Sequence, residues 1–168
     1  MAPREPDFAE WVDARRPTLW RSAWLLTGDD HRADDLVQTV LLKVWPRWTR
    51  IIATGDPEPY VRRVMYTTYL AWWRRRWTAE LPTAEPPDRP DPASTPQAER
   101  VDLADAMASL PKGQRAVVVA RFFDDLSVAE TARQLNISQG TVKSQTARAV
   151  SALRHSSLLS DEHIRERS

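Results

Sequence analysis

The sequence predicts an all-α protein, built as two small helical domains joined by a proline-rich acidic linker. Three observations carry this. Apolar residues recur three and four apart through residues 33–48 and again through 60–77. No run alternates apolar and polar residues in the manner of a strand. Between the helical halves, ELPTAEPPDRPDPASTPQ (80–97) holds six of the 13 prolines, no aromatic residue and one large aliphatic, Leu81. Proline neither continues a helix nor donates to a sheet ladder, and so little apolar surface cannot offset the entropy of ordering. The stretch reads as a semi-extended tether, at most roughly 55 Å long at about 3.1 Å per residue.

The first domain is expected over residues 1–79. Phe8, Trp11 and Val12 suggest a helix that ends near Pro17, and TLWRSAWLLTG (18–28) forms the next, with Gly28 at its C′ position. Asp29 or Asp30 caps the helix that follows. There Ala33, Leu36, Val37, Val40, Leu41, Val44 and Trp48 share one stripe. A loop spans TRIIATGDPEP (49–59), and YVRRVMYTTYLAWWRRRW (60–77) is a helix with Val61, Val64, Met65, Thr68 and Trp72 inward.

The second domain is expected over 98–156, with residues 157–168 as a tail. RVDLADAMASL and GQRAVVVARFF give two core helices separated by Pro111. Ser127, with Glu130 three residues on, begins a capping box. Val128, Ala132 and Leu135 form the inner stripe of that helix, Asn136–Ser138 the turn, and Ser138 the cap of the next helix. At about 100° per residue, Val142, Thr146, Ala149, Val150 and Leu153 share one face. The opposite face carries Gly140, Lys143, Ser144, Ala147, Arg148, Ser151 and Arg154. Small and basic side chains let a helix enter a major groove closely; hydroxyls and amides reach base edges, and Lys and Arg take phosphate or guanine. The stretch reads as a helix-turn-helix recognition unit. A basic solvated face on a helical bundle is the plainer alternative.

Composition narrows the classes. The net charge of +1 hides a segregation: +3 over residues 1–79, −5 over 80–110 and +3 over 111–168. There is no cysteine, and His31, His155 and His163 are scattered, so neither thiolate chemistry, nor a metal, nor a cofactor is expected. No Gly-rich phosphate loop and no His–carboxylate grouping suggests an enzyme. MAPREPDFAEW has no apolar signal core, and no window approaches the roughly 20 apolar residues of a membrane span. A cytoplasmic protein is the expectation.

Taken together, RADDLVQTVLLKVW, YVRRVMYTTYLAWWRRRW and LPKGQRAVVVARFFDDLSVAETARQLNISQGTVKSQTARAVSALR resemble a bacterial RNA polymerase sigma factor. The type is extracytoplasmic-function (group 4) of the sigma-70 family, closest in wording to actinobacterial members. The resemblance implies a transcription initiation factor that binds core polymerase and reads −35 and −10 elements. The first domain corresponds to sigma region 2 and the second to region 4. It implies that the DDLVQ helix grips the clamp helices of the largest catalytic subunit through Asp35 and Gln38, with Asp34 and Lys43 on the same outer side. The flap region is the other polymerase partner it implies. Thr39 stands where many members carry glutamate. The 60–77 helix and the loop before it correspond to the part that opens the −10 element, the loop holding a flipped base. Arg62, Arg63, Arg74, Arg75 and Arg76 would supply backbone charge, and Tyr66, Tyr69, Trp73 and Trp77 are aromatic candidates; Thr67 replaces a common asparagine. Opening a duplex costs unstacking, which flipped bases recover in pockets and on aromatic rings. The −35 reader implied is Gln139, Thr141, Lys143, Ser144, Ala147 and Arg148, with Gln145 and Ala147 departing from the usual residues. The tether would run through the polymerase cleft, and an anti-sigma factor is a further candidate partner. The rival reading is a stand-alone helix-turn-helix DNA-binding regulator, dimeric and without a polymerase surface.

Overall fold

The computed structural model describes residues 7–78 and 95–166, with side chains at 7–75 and 102–155. The chain divides into two compact units, and the division falls inside the 80–97 stretch. Among the described residues every regular element is helical. The tether over 80–94 lies outside the described residues, and α5 begins at Thr95, three residues inside the stretch assigned to the tether.

In the first unit, α1 (Phe8–Thr27) runs unbroken through Pro17, so the helix expected to end there does not. An interior proline costs about 3 kcal/mol by removing one helical bond and crowding the preceding turn. Here residues 13–17 are all exposed, so water can take the freed carbonyl. Trp11 on one side and Leu19, Ala23, Leu25 and Leu26 on the other are buried, at about 1.5–3 kcal/mol for each large side chain. Burial outweighs the local penalty. Gly28 adopts φ 73°, and its N–H donates to the Trp24 carbonyl, closing the helix. The Asp29 side chain then caps α2 (Asp30–Val44) by accepting from the His31 N–H at 2.8 Å.

On α2 the expected stripe is the core: Ala33, Leu36, Val37, Val40 and Val44 are buried, and Leu41 is half-buried. A 3-10 turn over Trp45–Arg47 leads into α3 (Trp48–Ala53), which corrects the expected loop at 49–59. Trp48 and Ile51 are buried there, and Phe8 and Trp11 pack ring to ring on Trp48 at 5.2 and 5.4 Å. Only residues 54–57 remain irregular, with Gly55 at φ 125°. The Asp56 side chain then accepts the Glu58 N–H at 3.0 Å where α4 (Glu58–Thr78) begins. Val61, Met65 and Thr68 are buried as expected, with Val64 and Trp72 half-buried.

In the second unit, α5 (Thr95–Ala108) is joined through Pro111 to α6 (Lys112–Val118), whose continuation Val119–Phe123 widens to a π turn. Arg115 is buried and staples the joint, its Nη2 donating to the Ala108 and Leu110 carbonyls at 3.1 and 3.0 Å. The capping box of α7 (Val128–Leu135) closes in both directions: Glu130 N–H donates to Ser127 Oγ at 3.0 Å, and Ser127 N–H to Glu130 Oε2 at 2.8 Å. Asn136 turns the chain at φ 55°, and Ser138 Oγ accepts the Thr141 N–H at 3.0 Å, opening α8 (Gln139–Glu166). Residues 157–166, expected as a tail, continue that helix.

Candidate nucleic-acid and polymerase interfaces

The outer face of α8 is built from the cap upward. Ser138 satisfies the first turn of α8, and Val142 and Ala149 are buried against the rest of the unit, with Thr146, Val150 and Leu153 half-buried. That seating turns Gly140, Lys143, Ser144, Ala147, Arg148, Ser151 and Arg154 outward, and all seven are exposed. Gln139 is exposed as well. Thr141 is half-buried, its hydroxyl 2.8 Å from Ser138 Oγ, so it belongs as much to the cap as to the outer face. Nothing but Ser138 Oγ lies within 4 Å of where a Cβ on Gly140 would sit, so packing does not demand the glycine; its effect is a low surface. Gln145 turns inward, its amide against Gly113 of α6.

A groove of about 680 Å³ takes in part of this face and is lined by Arg121, Lys143 and Arg154 together with Val128 and Val150. Clustered positive charge suits a polyanion. The sequence reading missed Arg121, since it lies on a helix counted as core. Its Nη1 donates to the Leu126 carbonyl at 2.6 Å, holding the loop before α7.

On α2, Asp35 and Gln38 are exposed, and Thr39 donates its hydroxyl to the Asp35 carbonyl at 2.7 Å. Asp34 and Lys43 do not share one outer side. Trp20 Nε1 of α1 donates to Asp34 at 2.8 Å, whereas Lys43 donates to Thr68 of α4 at 3.0 Å. Nine helical positions separate them by about 180° beyond two full turns, which places them on opposite flanks, each tied to a different helix. The stripe of Asp35 and Gln38 continues instead into Leu42, 74% exposed, and Trp45, 59% exposed. The sequence carried this signal, since the four positions are spaced by three, four and three.

On α4, Arg63, Thr67, Arg74 and Arg75 are exposed. Arg62 and Trp73 are half-buried; Arg62 donates to Glu58 at 3.2 Å, and Trp73 stands edge-on to Tyr69 at 6.3 Å. Tyr66 is 0% exposed and Tyr69 is 1% exposed. Tyr66 is enclosed by the rest of the unit, which leaves no ring face for a base to stack on; Tyr69 is nearly as enclosed and borders a cleft at the end of α4. The side chains of Arg76 and Trp77 lie outside the described ones. Near the end of α4 a cleft of about 280 Å³ is lined by Thr27, Arg32, Tyr69, Trp72, Trp73 and Arg75. Among the described residues no helix is long and apolar enough to cross a membrane.

Comparison with known proteins matches both units. The family model for sigma-70 region 2 covers residues 11–79, and that for sigma-70 region 4 covers 100–153. The RNA polymerase sigma-E factor of Streptomyces coelicolor is 42% identical over 149 residues, spanning 88% of this chain and 84% of the relative. The ECF RNA polymerase sigma factor SigL of Mycobacterium tuberculosis is 32% identical over 148 residues, spanning 84% of each. In fold, the chain is similar to the sigma factor RpoE solved with the anti-sigma factor NepR from Bartonella quintana. Their TM-score is 0.74 at 21% identity, over 89% of this chain and 95% of that one. A stand-alone regulator would leave the region 2 match unexplained. The chain therefore belongs to the sigma-70 family as an RNA polymerase sigma factor of the extracytoplasmic-function type, a transcription initiation factor that directs polymerase to promoters.

Proposed function

We propose that three surfaces divide the work of initiation. The α2 stripe of Asp35, Gln38, Leu42 and Trp45 docks on the clamp helices of the largest catalytic subunit, and the second unit meets the flap region. The exposed side of α4, with Arg62, Arg63, Thr67, Trp73, Arg74 and Arg75, handles the −10 element. The outer face of α8, with Gln139, Thr141, Lys143, Ser144, Ala147 and Arg148, reads the −35 element. The protein acts where polymerase and chromosome are, in the cytoplasm, without catalysis of its own. We extend its partners to an anti-sigma factor, as RpoE has in NepR.

The observation that carries this reading is the α8 face, where seven small, polar or basic side chains are exposed together over a fully capped helix start. Its test uses the full chain with core polymerase, a promoter pool randomised at the −35 element, and the single variants Lys143→Ala and Arg148→Ala. Loss of a base contact costs about 1–3 kcal/mol and relaxes preference at one position. Loss of a phosphate contact weakens all sequences alike and lowers the salt slope by about one. If neither variant changes binding to any member of the pool, α8 is not the reader.

The polymerase surface has a separate test. Asp35→Ala with Gln38→Ala is expected to weaken core association at least about tenfold, equivalent to about 1.4 kcal/mol. Stability should hold within about 0.5 kcal/mol, because both side chains are exposed. Competition against a labelled wild-type chain measures the first and thermal melting the second. Undiminished competition by the double variant would remove α2 from the interface.

A further inference from the structure

Glu58 is the only buried carboxylate among the described residues, 9% exposed in the first turn of α4. Two cations meet it. Arg62, one turn along the same helix, donates through Nη2 to Oε1 at 3.2 Å. Arg15 of α1 brings Nε to 3.1 Å from Oε2, a charge contact without hydrogen-bond alignment. The two guanidinium groups differ in setting: the Arg15 side chain is 47% exposed and the Arg62 side chain 17%. One carboxylate shared by two cations leaves the site with a surplus positive charge. It also means that either arginine can leave without stranding a buried charge, the event that makes breaking a lone buried pair so unfavourable.

We propose that Glu58 is a positioning residue for promoter DNA: it holds Arg62 against α1 until a phosphate of the opened strand takes the carboxylate's place, while Arg15 stays to neutralise Glu58. This rests on the reading of α4 as the −10 surface. Arg62 is next in the chain to exposed Arg63, which lies one turn before exposed Thr67, so a guanidinium released from Glu58 reaches that surface by swinging about 100° around the helix. The ligand is a phosphodiester strand, recognised by charge and not by sequence. In the free protein Glu58 competes with every phosphate for Arg62, which lowers affinity for DNA in general and leaves the strongest contact to a strand held by its bases.

The test uses the full chain in complex with core polymerase and a fork-junction DNA that the wild-type complex selects from a pool randomised at the −10 element. Binding is measured across a salt series for Glu58→Gln, Arg62→Gln and the pair combined. Glutamine keeps the shape of Glu58 and removes its charge. Glu58→Gln is expected to bind more tightly with an unchanged salt slope, because Arg62 meets the phosphate in both complexes and only the competitor is lost; Arg62→Gln is expected to lower the slope by about 0.7–0.9, the share of one phosphate contact. The gain in affinity disappears in the Arg62→Gln background. Affinity equal to wild type for Glu58→Gln, or a gain that persists without Arg62, overturns the inference. Arg62→Gln alone separates this from the reading beneath it: if it leaves affinity unchanged, Arg62 is not on the DNA and the α4 assignment fails at that residue. Should Glu58→Gln fold poorly in a melt of the free chain, Arg15→Gln asks the same question from the other side. It tightens the hold of Glu58 on Arg62 and is expected to weaken binding only while Arg62 is present; unchanged binding overturns the proposal.

Discussion

Tyr66→Ala is expected to lower the stability of the first unit by about 3–5 kcal/mol, the cost of deleting a large aromatic side chain from a core. The residue is fully enclosed, on a helix whose neighbouring positions Val61, Met65 and Tyr69 are equally buried. A cavity of that size cannot collapse, because Leu36, Val37 and Val40 of α2 and Leu26 of α1 are themselves packed at 0–1% exposure. For a domain of this size each 1 kcal/mol moves the melting temperature by about 4–8 °C, so the free chain should melt at least about 12 °C lower in that unit. Any loss of −10 binding would then follow from unfolding and would affect core association equally. A base-stacking residue would behave in the opposite way, with the melt preserved and fork-junction binding lost. A melting temperature within two or three degrees of wild type would return Tyr66 to the DNA surface.

Arg115→Ala is expected to cost the second unit about 2–4 kcal/mol. Hydrogen bonds to a charged donor contribute about 1.5–3 kcal/mol each, and removal of the donor leaves the acceptors to find other partners in a buried setting. Two carbonyls, of Ala108 and Leu110, depend on Nη2 of Arg115 at the end of α5. They fall where a helix has run out of its own N–H donors, so no backbone group replaces the guanidinium. Arg115→Lys should recover only part of the loss, since the shorter lysine side chain ends before the Nη2 position from which both carbonyls are reached. Urea unfolding of the full chain, followed by a probe in the second unit, gives the measurement. Because α6 packs on α8, −35 binding is expected to fall in step with the unfolded fraction and not beyond it. A midpoint shift corresponding to less than about 1 kcal/mol would mean that the joint is held by the apolar contacts of Met107 and Leu110 alone.

The helix-turn-helix and its outward face were legible without coordinates because each of their determinants is local. A capping box spans four residues, Ser127 to Glu130; the turn needs one residue tolerant of left-handed backbone, Asn136; the next cap needs Ser138. The sides of α8 then follow from a period of 3.6 residues. The same logic read the core stripe of α2 and the Gly28 terminus of α1 correctly. It also contained an unused signal, the apolar Leu42 and Trp45 in register with Asp35 and Gln38.

What sequence patterns by themselves determined, then, was the helical class, the two-part organisation around a proline-rich stretch, the family, and the outward side of α8. Tertiary structure alone decided the rest. Pro17 stays inside a helix because Trp11 and Leu19 to Leu26 are buried on the same rod, a gain summed over many residues that no local rule at one proline can weigh. Residues 48–53 coil into a helix because Phe8 and Trp11, some forty residues earlier in the chain, pack against Trp48. On α4, Tyr66 and Trp73 look interchangeable as aromatic candidates, and only the helices packed alongside enclose one and leave the other half-open. Asp34 and Lys43 part company for the same reason, one claimed by Trp20 and the other by Thr68. Periodicity fixes the angle at which a side chain leaves its own helix; what it meets there is set by a surface distant in sequence, and burial is a property of both.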